Sequence, residues 1–334
     1  MTDVVIIGAG PAGTTCAYLL KKAGMDCVLV DFAAFPREKI CGGGLTIKAY
    51  HLLEEIMPEF RYEYKSIRRL QLQMDARTLC TFAPAEELRV VSRKDFDHAL
   101  LQQYLGIGGA FVQDAFYQYE ILPDGTLLVT LKSGKQISCK YLVGADGANS
   151  RVRNQLKGHY DGNMLALEQY IPPSKDAIEG EISRKYDEGY YYLFPGVGHD
   201  VVGFCDRHAS VERFRALLAE KGIPETRIHG AFIPTEVAIS DNDRIILIGD
   251  AGGYANRLTY EGLYYAFATG RNAFLAISQG VPFRETNREI IKKKQREKRL
   301  TRFFYSRAGR CFVRICSASP ALVRRIFDRG VKGR

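Results

Sequence analysis

Gly8-Ala9-Gly10-Pro11-Ala12-Gly13 sets three glycines between an apolar run, Asp3–Gly8, and a helix-like stretch, Thr14–Ala23. Each glycine has its own task. Gly8 permits a tight turn, Gly10 lets the backbone approach a pyrophosphate, and Gly13 lets the helix lie close on a sheet. The helix N-terminus then faces the phosphate charge. Asp31 stands 18 residues after Gly13, at the end of a second apolar run, Cys27–Val30. A carboxylate there accepts hydrogen bonds from ribose hydroxyls. Strand, glycine turn, helix, strand and acid in this order make a dinucleotide-binding unit.

Two more segments pair an acid with small residues. Gly144-Ala145-Asp146-Gly147-Ala148-Asn149-Ser150 follows the run Tyr141–Val143 and leads to Arg151 and Arg153. Ile248-Gly249-Asp250-Ala251-Gly252-Gly253 is followed by Glu261-Gly262-Leu263. A carboxylate after a buried strand can hold a polyol hydroxyl near the backbone, so Asp146 and Asp250 are candidates for it. Either segment alone could be a structural turn. Cys41 sits in a glycine-rich loop, Pro36–Gly44, two residues after Lys39. It is either a proton donor beside the cofactor or a small filler. Tyr190, Tyr192 and Phe194 alternate along one stretch and could line an apolar tunnel or serve as strand core. His159, His199, His208 and His229 lack metal spacing and are expected to face solvent, so no metal site is expected. The eight cysteines show no CxxC pair and suit a reducing cytosol better than a disulfide framework. Cys16, Cys27, Cys311 and Cys316 are read as core.

The elements that must position these residues can be read from periodicity. After the opening βαβ unit, a helix is expected over Thr46–Glu55, strands over 66–82, and a helix over Ser92–Tyr104 with Ser92 as cap. Residues 111–145 alternate around Asp124-Gly125 and Ser133-Gly134, which predicts a β-meander. Residues 160–235 predict a separate sheet, Arg244–Gly249 a buried strand, and Gly262–Gln279 a helix. Leu300, Phe303, Phe304, Ala308, Cys311, Phe312 and Ile315 recur at helical spacing, and Ser319-Pro320 starts a last helix ending near Gly330. The fold class expected is mixed α/β: a Rossmann-like cofactor domain (1–65, 88–158 and 237–283), an interleaved antiparallel substrate sheet (66–87 and 159–236) and a basic helical C-terminal region (284–334).

The 334 residues are 46% apolar and 25% charged, which excludes a disordered or fibrous chain. No apolar run is long enough to span a bilayer, and Met1-Thr2-Asp3 lacks the basic start of a signal peptide. The charge is uneven. Residues 284–334 carry 17 Lys/Arg against four Asp/Glu, while the rest carries 30 against 34. Such a tail suits an anionic membrane surface or plain packing on the body. No aromatic-basic signature supports a nucleic-acid partner. The expected location is the cytosol, with the membrane reading placing the chain peripherally on the inner face of the cell membrane.

With these motifs together, the sequence resembles FAD-dependent oxidoreductases of the para-hydroxybenzoate hydroxylase fold. The carriers are the fingerprint at 8–13, the GADGxxSxVR segment at 144–153 and Gly249-Asp250-Ala251. It is similar, more narrowly, to the geranylgeranyl reductase family. Lys39-Ile40-Cys41-Gly42-Gly43, Arg93 with Phe96-Asp97, and Tyr190-Tyr191-Tyr192-Leu193-Phe194-Pro195 match that family's loop, RxxFD segment and YxWxFP segment, with Tyr192 in the Trp position. Tyr260 stands where many members have Gly. The resemblance implies FAD as cofactor. Gly8, Gly10, Ala12 and Gly13 would contact its pyrophosphate, and Asp31 its adenosine ribose. Arg93 would neutralise phosphate or anchor the ribityl region, Asp250 would hold the ribityl chain, and Gly262 and Leu263 would offer N–H groups to the flavin O2 region. Cys41, Gly42 and Gly44 would line the isoalloxazine, and Tyr190, Tyr192 and Phe194 the substrate. The implied activity is reduction of carbon–carbon double bonds in an isoprenoid or prenyl-lipid substrate. An aromatic or polyketide monooxygenase shares the fold, and a non-catalytic flavin-binding protein at the membrane is the reading from another class. The electron donor, NAD(P)H, ferredoxin or a quinone, stays open; no second GxGxxG signals a separate NAD(P)H domain.

Overall fold

The computed structural model describes residues 1–332. In chain order, β1 (Thr2–Ile7), α1 (Pro11–Lys22) and β2 (Cys27–Asp31) form the opening unit. β3 (Gly44–Leu45), α2 (Ile47–Ile56), β4 (Lys65–Ile67), β5 (Leu70–Met74), β6 (Arg77–Phe82) and β7 (Leu88–Val90) lead to α3 (Arg93–Gly106). β8 (Ala110–Gln113), β9 (Phe116–Ile121), β10 (Leu127–Leu131) and β11 (Gln136–Gly144) precede α4 (Arg151–Lys157). β12 (Asn163–Ile171), β13 (Ile178–Ile182), β14 (Tyr190–Pro195), β15 (Asp200–Asp206), α5 (Val211–Glu220), β16 (His229–Pro234) and β17 (Ile245–Leu247) follow. A short 3-10 turn, Gly249–Gly252, then leads to α6 (Leu263–Gln279), α7 (Phe283–Thr286), α8 (Arg288–Phe304), α9 (Arg307–Ser317) and α10 (Pro320–Lys332).

The first sheet runs β8-β2-β1-β11-β10-β9, with β17 also on β11. Its inner parallel strands β1, β2 and β17 are buried on both faces, which is why they read as unbroken apolar runs. Val4 and Ile6 of β1 enter the core under α1, α3 and α6, while Val5 and Ile7 enter a second core with Val129, Leu142 and Val152. The meander predicted over 111–145 is shorter than expected. Only β9, β10 and β11 form it, and Ala110–Gln113 pairs parallel with β2. The helix α3 carries the chain back to the sheet edge, so the next strand enters parallel.

The second sheet runs β16-β12-β15-β14-β13-β5-β6. Alternation sorts its side chains: Leu167, Tyr191, Leu193, Val202 and Phe204 pack on Phe214 and Leu218 of α5. The opposite face carries Ala166, Tyr192 and Cys205, with Tyr190, Phe194 and Tyr260 against them. A third sheet, β3-β7-β4, ties the end of the Pro36–Gly44 loop to the strand that precedes α3.

The tail departs from the sequence reading in three ways. The apolar stripe is not one helix, because Ser306 ends α8 and caps α9, its Oγ accepting from Gly309 N at 3.1 Å. Cys311 is exposed rather than core, whereas Cys316 is buried. The last helix runs through Gly330 to Lys332; Gly333 and Arg334, which end the basic region, lie outside the described residues. α8 is fastened to the body by buried polar groups: Glu297 accepts from Asn256 Nδ2 at 2.8 Å and Tyr265 Oη at 2.6 Å, and pairs with Lys294 at 2.8 Å. No helix among the described residues is long and apolar enough to cross a membrane.

Candidate active site

The glycine fingerprint sits where β1 gives way to α1. Gly8 has φ +108°, and a Cβ there would lie 2.3 Å from the Ala145 carbonyl oxygen. A Cβ on Gly13 would lie 1.9 Å from the Gly8 carbonyl oxygen. Only glycine fits these two positions. Gly10 is different: a Cβ would meet only the Arg37 guanidinium, at 3.6 Å. Gly10 also heads α1 with no side-chain cap, so the first N–H groups of the helix, including those of Ala12 and Gly13, stay available to an anion. Asp31 ends β2 with its Oδ2 accepting from Ala9 N at 2.7 Å and its Oδ1 from Ala33 N at 2.9 Å.

The third acid segment closes on the first. Gly249 takes φ +55°, and its missing Cβ gives Ala12 room at 2.8 Å. α6 crosses α1 so closely that a Cβ on Gly270 would lie 2.7 Å from the Ala12 carbonyl oxygen. The Asp250 carboxylate makes no hydrogen bond to a described residue, and its Oδ1 lies 3.6 Å from where a Gly262 Cβ would be. Gly262 heads α6, again with no side-chain cap, leaving the Leu263 N–H uncommitted by side chains.

Asp146 has a different occupation from the one expected. Its carboxylate accepts from Ser150 Oγ, from Arg151 N at 2.7 Å and from Val152 N at 3.3 Å. It caps α4, and burial pushes its pKa up. Both its oxygens are thus committed locally, Oδ1 to the Ser150 hydroxyl and Oδ2 to the first N–H groups of α4, because the turn after β11 points the side chain at the helix start. Arg153, only 2% exposed, braces the segments together. Its guanidinium donates to the carbonyls of Ala148, Asp250 and Ala251.

Around Cys41 the loop is held by backbone. Val91 N donates to the Gly43 carbonyl at 3.0 Å, and Gly43 takes φ +71°. Cys41 is half-buried; its Sγ accepts from Gly43 N at 3.4 Å and lies beside Arg93. Arg93 itself is committed to Asp97 through two bonds of 2.8 Å. Burial opposes its charge, but Asp97 and the Cys41 sulfur outweigh that and the net shift is upward. Arg37 also reaches Asp97, at 3.3 Å, so the cation nearest Gly10 is Arg37 rather than Arg93. Arg37 and Asp97 were not singled out as site residues, since their pairing joins a loop to a helix 60 residues on.

The strand Tyr190–Pro195 brings its alternate residues to this loop. The Phe194 ring lies 3.1 Å from a Cβ position on Gly42 and 2.8 Å from one on Gly44. Tyr192 and Tyr190 continue the aromatic row at centroid spacings of 5.6 and 5.7 Å. Tyr260 stacks on Tyr190 at 5.6 Å although its φ is +53°. Two of the four histidines are not solvent-facing: His199 and His229 are half-buried and flank Tyr170 at 4.6 and 5.5 Å. No group of His, Cys, Asp or Glu among the described residues could hold a metal ion.

These features fit FAD: two uncapped helix starts, a glycine cradle closed to any Cβ except over Gly10, and an unpaired carboxylate at the second helix start. A model of the FAD binding domain family matches residues 1–62 and 120–172. An uncharacterised protein of Methanosarcina barkeri is 29% identical over 95% of this chain and 87% of its own length. The chloroplastic geranylgeranyl diphosphate reductase of Oryza sativa is 28% identical over 83% of this chain and 66% of its length. The menaquinone reductase of Mycolicibacterium smegmatis is 28% identical over 83% and 76%. The chain is an FAD-dependent oxidoreductase similar to the geranylgeranyl reductases. Its fold is shared by a geranylgeranyl bacteriochlorophyll reductase-like protein from Thermoplasma acidophilum, with TM-score 0.73 and 17% identity over 100% of this chain and 92% of that one. The halogenase PltM, solved with FAD, superposes with TM-score 0.73 and 16% identity over 100% of this chain and 84% of that one.

Proposed function

We propose that this FAD-dependent oxidoreductase reduces carbon–carbon double bonds of a prenyl-lipid substrate. The observation that carries the reading is the contact between the two halves of the site. The aromatic row Tyr190, Tyr192 and Phe194 faces the Cys41–Gly44 loop, with Phe194 on Gly42 and Gly44. An apolar, aromatic wall beside a flavin loop suits a long hydrocarbon better than a small charged substrate. The relatives named as geranylgeranyl diphosphate and menaquinone reductases act on molecules that carry such chains, which supports the same class here.

Gly8, Gly10, Ala12 and Gly13 would hold the pyrophosphate, with Arg37 as counter-charge and Asp31 on the ribose. Asp250 would take the ribityl hydroxyls, and the uncapped start of α6 at Gly262 and Leu263 would stabilise negative charge on the ring. Reduced FAD supplies the two electrons and the hydrogen that the double bond takes up. Cys41, Gly42 and Gly44 would orient the ring against the aromatic row, and the sheet face would exclude water.

The test is anaerobic reduction of the flavin by dithionite, then separate additions of prenyl lipid and of O2. Return of oxidised-flavin absorbance with the prenyl lipid, and a product two hydrogens richer, is expected. Reoxidation by O2 alone, with an oxygenated aromatic product from an added phenol, points to the monooxygenase reading instead.

The tail completes the proposal. Leu300, Phe303, Phe312, Ile315, Leu322 and Ile326 are exposed on α8, α9 and α10. Arg299, Arg302, Arg307, Arg324, Arg325 and Arg329 are exposed beside them. A groove of about 870 Å³ lies between Phe82 and α10, lined by Arg324, Arg325, Arg329 and Lys332. We infer an anionic membrane surface as its partner, where a lipid substrate is found.

A further inference from the structure

Glu168 was not part of any sequence motif, yet the sheet delivers it to the centre of the site. It lies on β12, directly opposite Gly203 of β15, and Gly203 is in turn opposite Tyr192 of β14. The three positions form one row across one face of the sheet. A side chain on Gly203 would block the row, since a Cβ there would lie 2.1 Å from the Tyr192 ring. Without it, the Tyr192 hydroxyl reaches across the middle strand and donates to Glu168 Oε1 at 2.6 Å. Glu168 is only 3% exposed, and its Oε2 is sealed from water with no hydrogen-bond partner of good geometry.

A buried carboxyl group with one satisfied and one orphaned oxygen is expensive as an anion and cheap as an acid. Burial pushes its pKa up to about 7, against the Tyr192 hydrogen bond, Lys39, Arg93 and the Gly42 N–H, which favour the charge. Tyr190, Tyr170 and Cys205 also face it from β14, β12 and β15, and His229 is its partner in register on β16. With Oε1 accepting from Tyr192, the proton belongs on Oε2.

We infer that Glu168 is the proton donor of this site, a carboxylic acid set between Tyr192 and the Cys41–Gly44 loop that protonates the substrate carbon next to the one receiving hydrogen from the cofactor. The inference rests on the double-bond reduction proposed above. As one alkene carbon accepts a hydride with its electron pair, the π pair moves to the other carbon and takes the Glu168 proton. The Oε2–H bond breaks, its pair stays on the carboxylate, and solvent admitted to the site when the product leaves restores the proton. Tyr192 steadies the anion in that interval, which makes Tyr192 a positioning residue.

The test has two independent readouts. Infrared difference spectra of the holoprotein between pH 5 and 9 should show a protonated carboxyl band that titrates near neutrality and is absent from Glu168→Gln. Tyr192→Phe removes a bond that favours the anion, so it should move that titration upward. A carboxyl that is fully ionised by pH 5 in the unaltered protein overturns the inference. In anaerobic reoxidation by a prenyl alkene, Glu168→Gln should retain FAD, lose at least 100-fold in rate and lose the decline above pH 7. Cys41→Ala should keep that pH dependence. The reverse pattern makes Cys41 the donor and overturns the inference. Failure of the unaltered enzyme to be reoxidised by any prenyl alkene removes the double-bond reading instead, and the infrared titration distinguishes the two failures. Should Glu168→Gln not fold, Gly203→Ala provides the same comparison, because displacing the Tyr192 ring must shift the Glu168 band.

Discussion

Asp146 and Asp250 show how identical residue types after similar strands come to differ. Asp146 is followed by a helix whose N–H groups it can reach, so it becomes a cap. Asp250 is followed by a short turn that satisfies itself through backbone, so its carboxylate stays free. Asp250→Ala should therefore leave a stable fold and weaken FAD binding, by roughly 10- to 100-fold for one lost charge-assisted hydrogen bond. Titration of the apoprotein with FAD, followed by flavin fluorescence, measures this; wild-type affinity in the variant removes Asp250 from the cofactor site. A second prediction concerns Glu168 and stability. Its pKa rises from the ordinary 4.5 to about 7 on folding. Between those values the folded chain keeps a proton that the unfolded chain has lost, so the favourable contribution present below pH 4.5 declines as pH rises and is gone above 7. At roughly 1.4 kcal/mol per pH unit, Glu168→Gln should gain about 2–3 kcal/mol relative to the unaltered chain between pH 5 and pH 8. Urea unfolding at both pH values checks it, and a pH-independent difference rules it out. The glycines and Asp31 were legible in the sequence because each answers a backbone demand within its own segment. Glu168, Arg37 and Asp97 were not, because their meaning depends on partners brought in by other strands and loops.

At the scale of elements, the three glycine segments matter as crossings rather than as turns. α6 rests on α1 at Gly270, where a Cβ would press on the Ala12 carbonyl oxygen. That crossing sets the distance between the two uncapped helix starts, one at Gly10 and one at Gly262. Gly270→Val should destabilise the fold by about 1–3 kcal/mol, as overpacking does, and should weaken FAD by parting the two helix starts. A thermal shift that is unchanged by added FAD would separate the two effects; a variant with unaltered Tm would show that the helices part freely. Tyr260 records a different balance. Its left-handed backbone costs a non-glycine residue about 1 kcal/mol. The ring stacks on Tyr190 and its hydroxyl donates to the Glu188 carbonyl, which offsets that cost and closes the aromatic row on one side. Periodicity found α1, α2, α3 with its Ser92 cap, α6 and the tail helices, because an amphipathic or buried segment carries its own pattern, but it gave no helix for α4, α5 or α7. It misread Ala110–Gln113, whose partner is set by the return path of α3, and it joined α8 to α9. The break at Ser306 is a cap inside an otherwise continuous stripe, a signal carried by one hydroxyl against seven apolar residues.

The whole molecule is two large sheets and one small one, with the Pro36–Gly44 loop between the large two and a basic helical tail whose α8 is fixed to the cofactor side and whose α9 and α10 lie against the second sheet. The tail was legible in composition, but composition could not say which part of it packs. Lys294, Glu297 and Thr301 of α8 are buried in the body, so this helix is a structural member and removing it would expose core. The exposed apolar residues start at Leu300 and continue through Phe303, Phe312, Ile315, Leu322 and Ile326. Six large apolar side chains at the surface, with arginines beside them, combine a hydrophobic and an electrostatic attraction to an anionic bilayer. Each arginine that reaches the lipid contributes about 1 kcal/mol, and that contribution is screened within a Debye length. Binding should therefore be strong to vesicles rich in anionic lipid at low salt, weaken as salt rises, and be slight to neutral vesicles. Phe312→Ser combined with Ile315→Ser changes two exposed residues and none of the buried polar clamp, so the fold should persist. That double variant should float with anionic vesicles much less than the unaltered chain while keeping its FAD. Equal flotation of both proteins leaves the charge alone as the attraction. No flotation of either at low salt means that the tail serves the fold and that the lipid substrate must reach the aromatic row by another route.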